Sequence, residues 1–145
     1  PNPQDLIGRR AKTTIRAMLF GILITFLVQS SSITTSLVVP LAGAGILKLR
    51  QIFPYTLGAN IGTTMTSILA SLATGTIQSL SVAFGHLLFN IFGIVLIWPI
   101  PQLRNIPIKL ASQFAELATQ NKAYPFLYIF IVFFVIPLTL ITIVR

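Results

Sequence analysis

Cysteine is absent from these 145 residues, so disulfides and thiolate metal sites are excluded. Negative charge is nearly absent as well. Asp5 and Glu116 are the two acidic residues, and charged residues make up 8% of the chain, against about 25% in a soluble domain. With His86 as the one histidine, the conventional acid and base groups end there, and nothing resembles a nucleophile with a base and an orienting partner. No enzymatic activity and no cofactor are expected. What is abundant is apolar surface, with 54% hydrophobic residues and a mean hydropathy of +0.89. An all-α, multi-pass integral membrane protein is the expected class, in a plasma or inner membrane.

The net charge of +8 would suggest nucleic acid if the cations clustered. They do not. Arg9, Arg10, Lys12 and Arg16 come early, Lys48 and Arg50 follow the next apolar stretch, and Arg104, Lys109, Lys122 and Arg145 lie in connections or at the end. Cations that flank apolar segments mark a protein whose partner is the lipid bilayer, and nucleic acid is not expected as a partner. No cleavable signal peptide is visible, and the opening Pro1-Asn2-Pro3 suggests a piece of a longer protein.

The chain reads as a single membrane unit, residues 1–145. Residues 1–16 are a basic lead-in, interfacial and partly helical from Ile7. Residues 17–47 read as a re-entrant helical hairpin. Its arms, 18–28 and 33–47, are each too short to cross a hydrocarbon core of about 30 Å, and between them stand four uncharged polar residues, Gln29-Ser30-Ser31-Ser32. At about 1.5 Å per residue the first arm reaches roughly 16 Å, which puts the serine tip near the bilayer midplane. In the second arm, Gly43-Ala44-Gly45 would allow close packing on a neighbouring helix.

Residues 52–73 suffice for one crossing, but Gly58-Ala59-Asn60-Ile61-Gly62-Thr63-Thr64 is poor material for a continuous helix, and a broken transmembrane helix is expected. Counted from Arg50, its polar stretch lies roughly 15 to 21 Å deep, level with the serine tip. Thr74-Gly75-Thr76 reverses the chain into a spanning helix at 77–98, on which Ser79, His86, Asn90 and Gly93 share one face. His86 reads as a neutral imidazole bonded to a neighbouring helix and Asn90 as interhelical glue. Trp98-Pro99-Ile100-Pro101 ends that helix at an interface. Residues 108–122 form an amphipathic interfacial helix, and 124–144 a last span with Pro137 kinking it.

Buried charge of either sign is missing, so an anion at the midplane would depend on neutral donors. Ser30, Ser31 and Ser32 offer hydroxyls, and the second arm starts there, adding its free N–H groups and positive dipole end. Hydroxyl and amide oxygens of Gln29, Ser32, Asn60, Thr63 and Thr64 would suit a hard cation such as sodium. Ordinary helix capping is the competing account of the serines, and the matched depth of the two polar stretches favours a site.

The two polar motifs, followed by His86 and Phe89-Asn90, closely resemble one repeat of the type II sodium-dependent phosphate cotransporter family, over residues 18–143. Trp98-Pro99-Ile100-Pro101 and Ile136-Pro137-Leu138-Thr139 are similar to its second repeat. The resemblance implies sodium-coupled transport of inorganic phosphate by two inverted repeats, with sodium as co-substrate. Phosphate would be bound by Gln29, Ser30, Ser31 and Ser32, and sodium by Gln29, Ser32, Asn60, Thr63 and Thr64. This chain carries one such repeat, so it is expected to be half of a transporter, completed by a second repeat or another copy. The alternative is a non-transporting membrane module that binds or senses phosphate or supports assembly. Cation placement puts the hairpin ends, Arg104 and Lys109 in the cytoplasm and Arg145 outside, whereas the resemblance implies a cytoplasmic C-terminus. The family orientation is the one expected.

Overall fold

The computed structural model describes residues 3–144, with side chains from residue 12 to residue 144. Asp5, Arg9, Arg10 and Arg145, which entered the charge reading above, lie outside the described side chains. The described residues form helices joined by short turns, without strands, and the chain divides into two compact units, Pro1–Arg104 and Asn105–Arg145.

In the first unit the lead-in and the first arm are one helix, α1 (Pro3–Val28). The lead-in, expected to be partly helical from Ile7, continues into the first arm without a turn, since Arg and Lys are good helix formers and no proline follows Pro3 in the run. Two residues, Gln29 and Ser30, separate α1 from α2 (Ser31–Gly43), a 13-residue apolar helix that packs on α1 and on the next helix. Gly43-Ala44-Gly45 does not serve close packing. Space is open around both glycines, Gly45 sits at φ +72°, and the Ile46 N–H closes the helix on the Leu41 carbonyl at 3.0 Å. The second arm therefore stops at Gly43, short of residue 47.

The expected break in the next helix is also absent. α3 runs unbroken over Leu49–Thr74, through the whole of Gly58–Thr64. The glycines and threonines that weaken a helix in isolation are used differently here. Gly58 and Gly62, four residues apart, lie on the face that meets α1. A Cβ on Gly58 would collide with the Met18 carbonyl oxygen, and one on Gly62 would stand 2.7 Å from Thr25 Cβ. On α1, Gly21 admits the Tyr55 carbonyl in the same way. Small residues at i and i+4 let two backbones approach in a membrane helix pair. The polar side chains are satisfied on their own helix: the Thr63 hydroxyl donates to Ala59 O at 3.2 Å and that of Thr64 to Ile61 O at 2.7 Å. Contacts of Met18 with Gly58 and of Thr25 with Gly62 advance together, so α1 and α3 run in the same direction.

Gly75, at φ +67°, ends α3, and Thr76 caps α4 (Ile77–Ile97) by accepting from the Ser79 N–H. α4 returns along α3. Trp98 closes it, with the Arg104 guanidinium 5.5 Å above its ring and Phe53 5.9 Å away. α5 (Pro101–Gln120) begins seven residues earlier than the amphipathic pattern suggests, because Pro101 has a backbone suited to the first helical turn.

In the second unit, α6 (Ala123–Phe130), a five-residue π-helical turn (Ile131–Val135) and α7 (Ile136–Val144) form one apolar rod. Pro137 accounts for the wide turn. Its ring crowds the carbonyl four residues back and offers no N–H, and the Thr139 hydroxyl donates to Val135 O beside it. This rod and α4 are each long and apolar enough to cross a membrane.

Burial in the first unit is reversed relative to a soluble domain. Thr25, Thr34 and Thr64 are fully buried, and Ala59, Ala83, Gly21, Gly58 and Gly62 are buried too, while Leu19, Leu23, Leu27, Leu37, Phe84, Phe89 and Phe92 are exposed. Small residues inside and large apolar ones outside is the distribution expected where lipid is the solvent. Gly58→Leu is expected to lower the thermal unfolding midpoint of the purified protein, at a cost of about 1–3 kcal/mol or more, since backbone cannot yield to the new side chain. Gly93→Ala, placed where the space is open, is expected to hold or raise it.

Candidate functional site

The connection between α1 and α2 is a charge-free polar tip. Gln29 occupies the left-handed region at φ +58°, the position after α1 that glycine usually fills, and its N–H donates to Thr25 O at 2.7 Å. Ser30 is extended, at φ −148°, and is the N-cap of α2, its Oγ accepting from the Ile33 N–H at 3.3 Å. The capping account of the serines therefore holds for Ser30. It does not extend to the next two, whose hydroxyls take no part in a hydrogen bond among the described residues. As the first residues of α2, Ser31 and Ser32 also have no helical acceptor for their N–H groups. Two amides and two hydroxyls thus stand together at the positive end of a helix.

Behind the tip the first turn of α2 is tightly bonded. Thr34 N and Thr34 Oγ1 both donate to Ser30 O, at 3.0 and 2.8 Å, and Thr35 Oγ1 donates to Ser31 O at 2.7 Å. From α3 the Tyr55 hydroxyl donates to Thr34 O at 3.0 Å in a buried contact. Tyr55, Thr34 and Thr25 were not singled out from the sequence. A tyrosine inside an apolar helix is the signal that was available, since a buried phenol takes a partner. Thr25, one turn before Gln29, is fully buried and its hydroxyl has no hydrogen-bond partner among the described residues.

Of the residues assigned to a cation from the sequence, Gln29 and Ser32 belong to the tip and Asn60, Thr63 and Thr64 to α3. No hydrogen bond links Gln29, Ser30, Ser31 or Ser32 to Asn60, Thr63 or Thr64 among the described residues. The two stretches meet indirectly, where Gly62 packs against Thr25 and Ile22. Thr64 is buried and Thr63 half-buried, each with its hydroxyl proton engaged and its oxygen lone pairs still able to accept. Asn60 is exposed, and its carbonyl accepts from Asn90 Nδ2 at 3.4 Å, tying α4 to α3. His86 is exposed and makes no hydrogen bond to a neighbouring helix among the described residues. Among the described residues no three His, Asp or Glu side chains come together.

Fold and tip together define an all-helical protein, suited to insertion in a membrane and carrying an uncharged polar loop at the start of a short apolar helix. A family model described as Na+/Pi-cotransporter matches residues 2–97, and the chain belongs to that family. It is similar to sodium-dependent phosphate transport protein 2B of Bos taurus, 45% identical over 125 residues, covering 84% of this chain and 18% of that protein. It is also similar to protein 2C of Rattus norvegicus, 42% identical over 125 residues, covering 84% and 21%, and to protein 2A of Oryctolagus cuniculus, 40% identical over 124 residues, covering 83% and 19%. The chain thus spans about a fifth of the length of these relatives. No solved structure matches it.

Because Ser30 caps and Ser31 does not, the two should separate in experiment. Ser30→Ala is expected to cost about 1 kcal/mol of stability, read as a lower thermal midpoint. Ser31→Ala is expected to leave that midpoint in place, so that any effect it has is on ligand.

Proposed function

We propose that this chain supplies one half of the site of a sodium-coupled inorganic phosphate transporter, the other half coming from a second repeat of the same protein or from another copy. The observation that carries this reading is the pair of unsatisfied amides and hydroxyls of Ser31 and Ser32, at the start of a helix in a chain of the Na+/Pi-cotransporter family. In this reading α1 and α2 form a re-entrant hairpin in a multi-pass protein of the plasma or inner membrane, with the C-terminus cytoplasmic. The 13-residue α2, roughly 20 Å long, is too short to span.

Magnitudes decide why a cation must travel with the phosphate. A helix terminus favours a nearby anion by about 0.3–2 kcal/mol, and each hydrogen bond to a charged group contributes about 1.5–3 kcal/mol. Desolvating an isolated ion in an apolar medium costs tens of kcal/mol. A few neutral donors from Gln29, Ser30, Ser31 and Ser32 fall short of that. Sodium, bound through oxygens of Gln29, Ser32, Asn60, Thr63 and Thr64, would offset the phosphate charge, and each ion would raise the affinity for the other. α3 is continuous, and besides their helical bonds the carbonyls of Ala59, Asn60 and Ile61 each accept from a side chain, that of Thr63, Asn90 and Thr64 respectively. The contribution of α3 to sodium would come from side-chain oxygens.

Transport then follows if the two halves rock around the shared site, exposing it to each side in turn. In proteoliposomes containing the complete protein, Gln29→Ala and Ser31→Ala are each expected to abolish sodium-dependent uptake of labelled phosphate. Uptake unchanged in either variant would overturn the proposal. Sodium-dependent phosphate binding without uptake by the unaltered protein would point instead to a binding or sensing module.

A further inference from the structure

We infer that Tyr55 is a positioning residue for the Gln29–Ser32 tip, its phenol holding the first turn of α2 so that Ser31 and Ser32 present their amides and hydroxyls in register. The inference rests on the phosphate reading of that tip. Tyr55 is 6% exposed, and its hydroxyl reaches across from α3 to the Thr34 carbonyl. Among the described residues this is the hydrogen bond that ties α2 to a neighbouring helix. The other end of the strut is fixed on α1. The Tyr55 carbonyl lies in the space that Gly21 leaves by having no Cβ, the ring stands 6.1 Å from that of Phe20, and fully buried Pro54 precedes it.

Force at Thr34 is passed to the tip through two short steps. The Thr34 N–H and hydroxyl both grip Ser30 O, and Ser30 in turn caps the helix whose first two residues are Ser31 and Ser32. A shift of the Thr34 peptide therefore moves the cap and swings the free N–H groups. Packing alone does not supply this control, because apolar contact is non-directional, whereas a phenol donating to a carbonyl is not. The bonds of its own first turn hold the start of α2 to itself, and among the described residues the Tyr55 bond is the one that fixes that turn against a neighbouring helix.

The test is Tyr55→Phe in the complete protein, which keeps the ring and removes the donor. Half-saturating phosphate for sodium-dependent uptake is expected to rise about two- to tenfold, the worth of one such bond, while the maximal rate per copy in the membrane changes less than about twofold. 4-Aminophenylalanine introduced at position 55 donates from the same place and is expected to restore the affinity. Half-saturating phosphate unchanged in the phenylalanine variant, or a loss confined to the number of copies in the membrane, would make Tyr55 merely structural and overturn the inference. Ser31→Ala, measured in parallel, separates the two levels. If it abolishes uptake while Tyr55→Phe is silent, the inference alone fails; if it too is silent, the phosphate reading fails with it. Should the phenylalanine variant not reach the membrane, 4-aminophenylalanine is compared with 4-methylphenylalanine, which fills the same space without donating. Equal half-saturating phosphate for those two would also overturn it.

Discussion

The close approach of α1 and α3 is the contact on which the rest of the first unit depends. Gly21 admits the Tyr55 carbonyl, Gly58 the Met18 carbonyl, and Gly62 the Thr25 side chain and Ile22 carbonyl. Where lipid surrounds a protein there is no hydrophobic drive to press helices together, so their affinity comes from how closely backbones can pack. These glycines provide that closeness. Once the two helices are in contact, the remaining parts have places to dock: α2 on both of them, α4 along α3.

The polar tip inherits its geometry from that contact. α1 carries it up to Gln29, and α3, fixed against α1, sends the Tyr55 hydroxyl back to the first turn of α2. Positive φ at Gln29 and the Ser30 cap then turn the chain over two residues and leave Ser31 and Ser32 with their donors unspent. Neighbouring serines differ in what the fold asks of them. Ser30 closes the helix, and the next two are free to act on something else.

Much of this was legible beforehand because it depends on local chemistry. The uncharged tip, the glycine turn at Gly75, the apolar helix after it and the membrane class follow from composition and from residues adjacent in the chain. Errors fell where the meaning of a residue depends on a distant neighbour. Gly58 and Gly62 read as a break because glycine weakens an isolated helix by about 1 kcal/mol per residue; against α1 they are the surface that permits contact. Gly43 and Gly45 show the reverse error, since they read as a packing surface and act as a helix end.

By itself, then, the sequence determined that the chain is helical and suited to lipid, and that its one polar interruption of the first apolar run lies at Gln29–Ser32. Periodicity, polarity and turn chemistry are short-range properties, and they survive without knowledge of the fold. Tertiary structure decided that α3 is continuous, that α1 and α3 run side by side, and that Tyr55 meets Thr34 across 21 positions of sequence. The reason is physical: a missing Cβ or a buried phenol has a structural meaning only once the atoms opposite it are known.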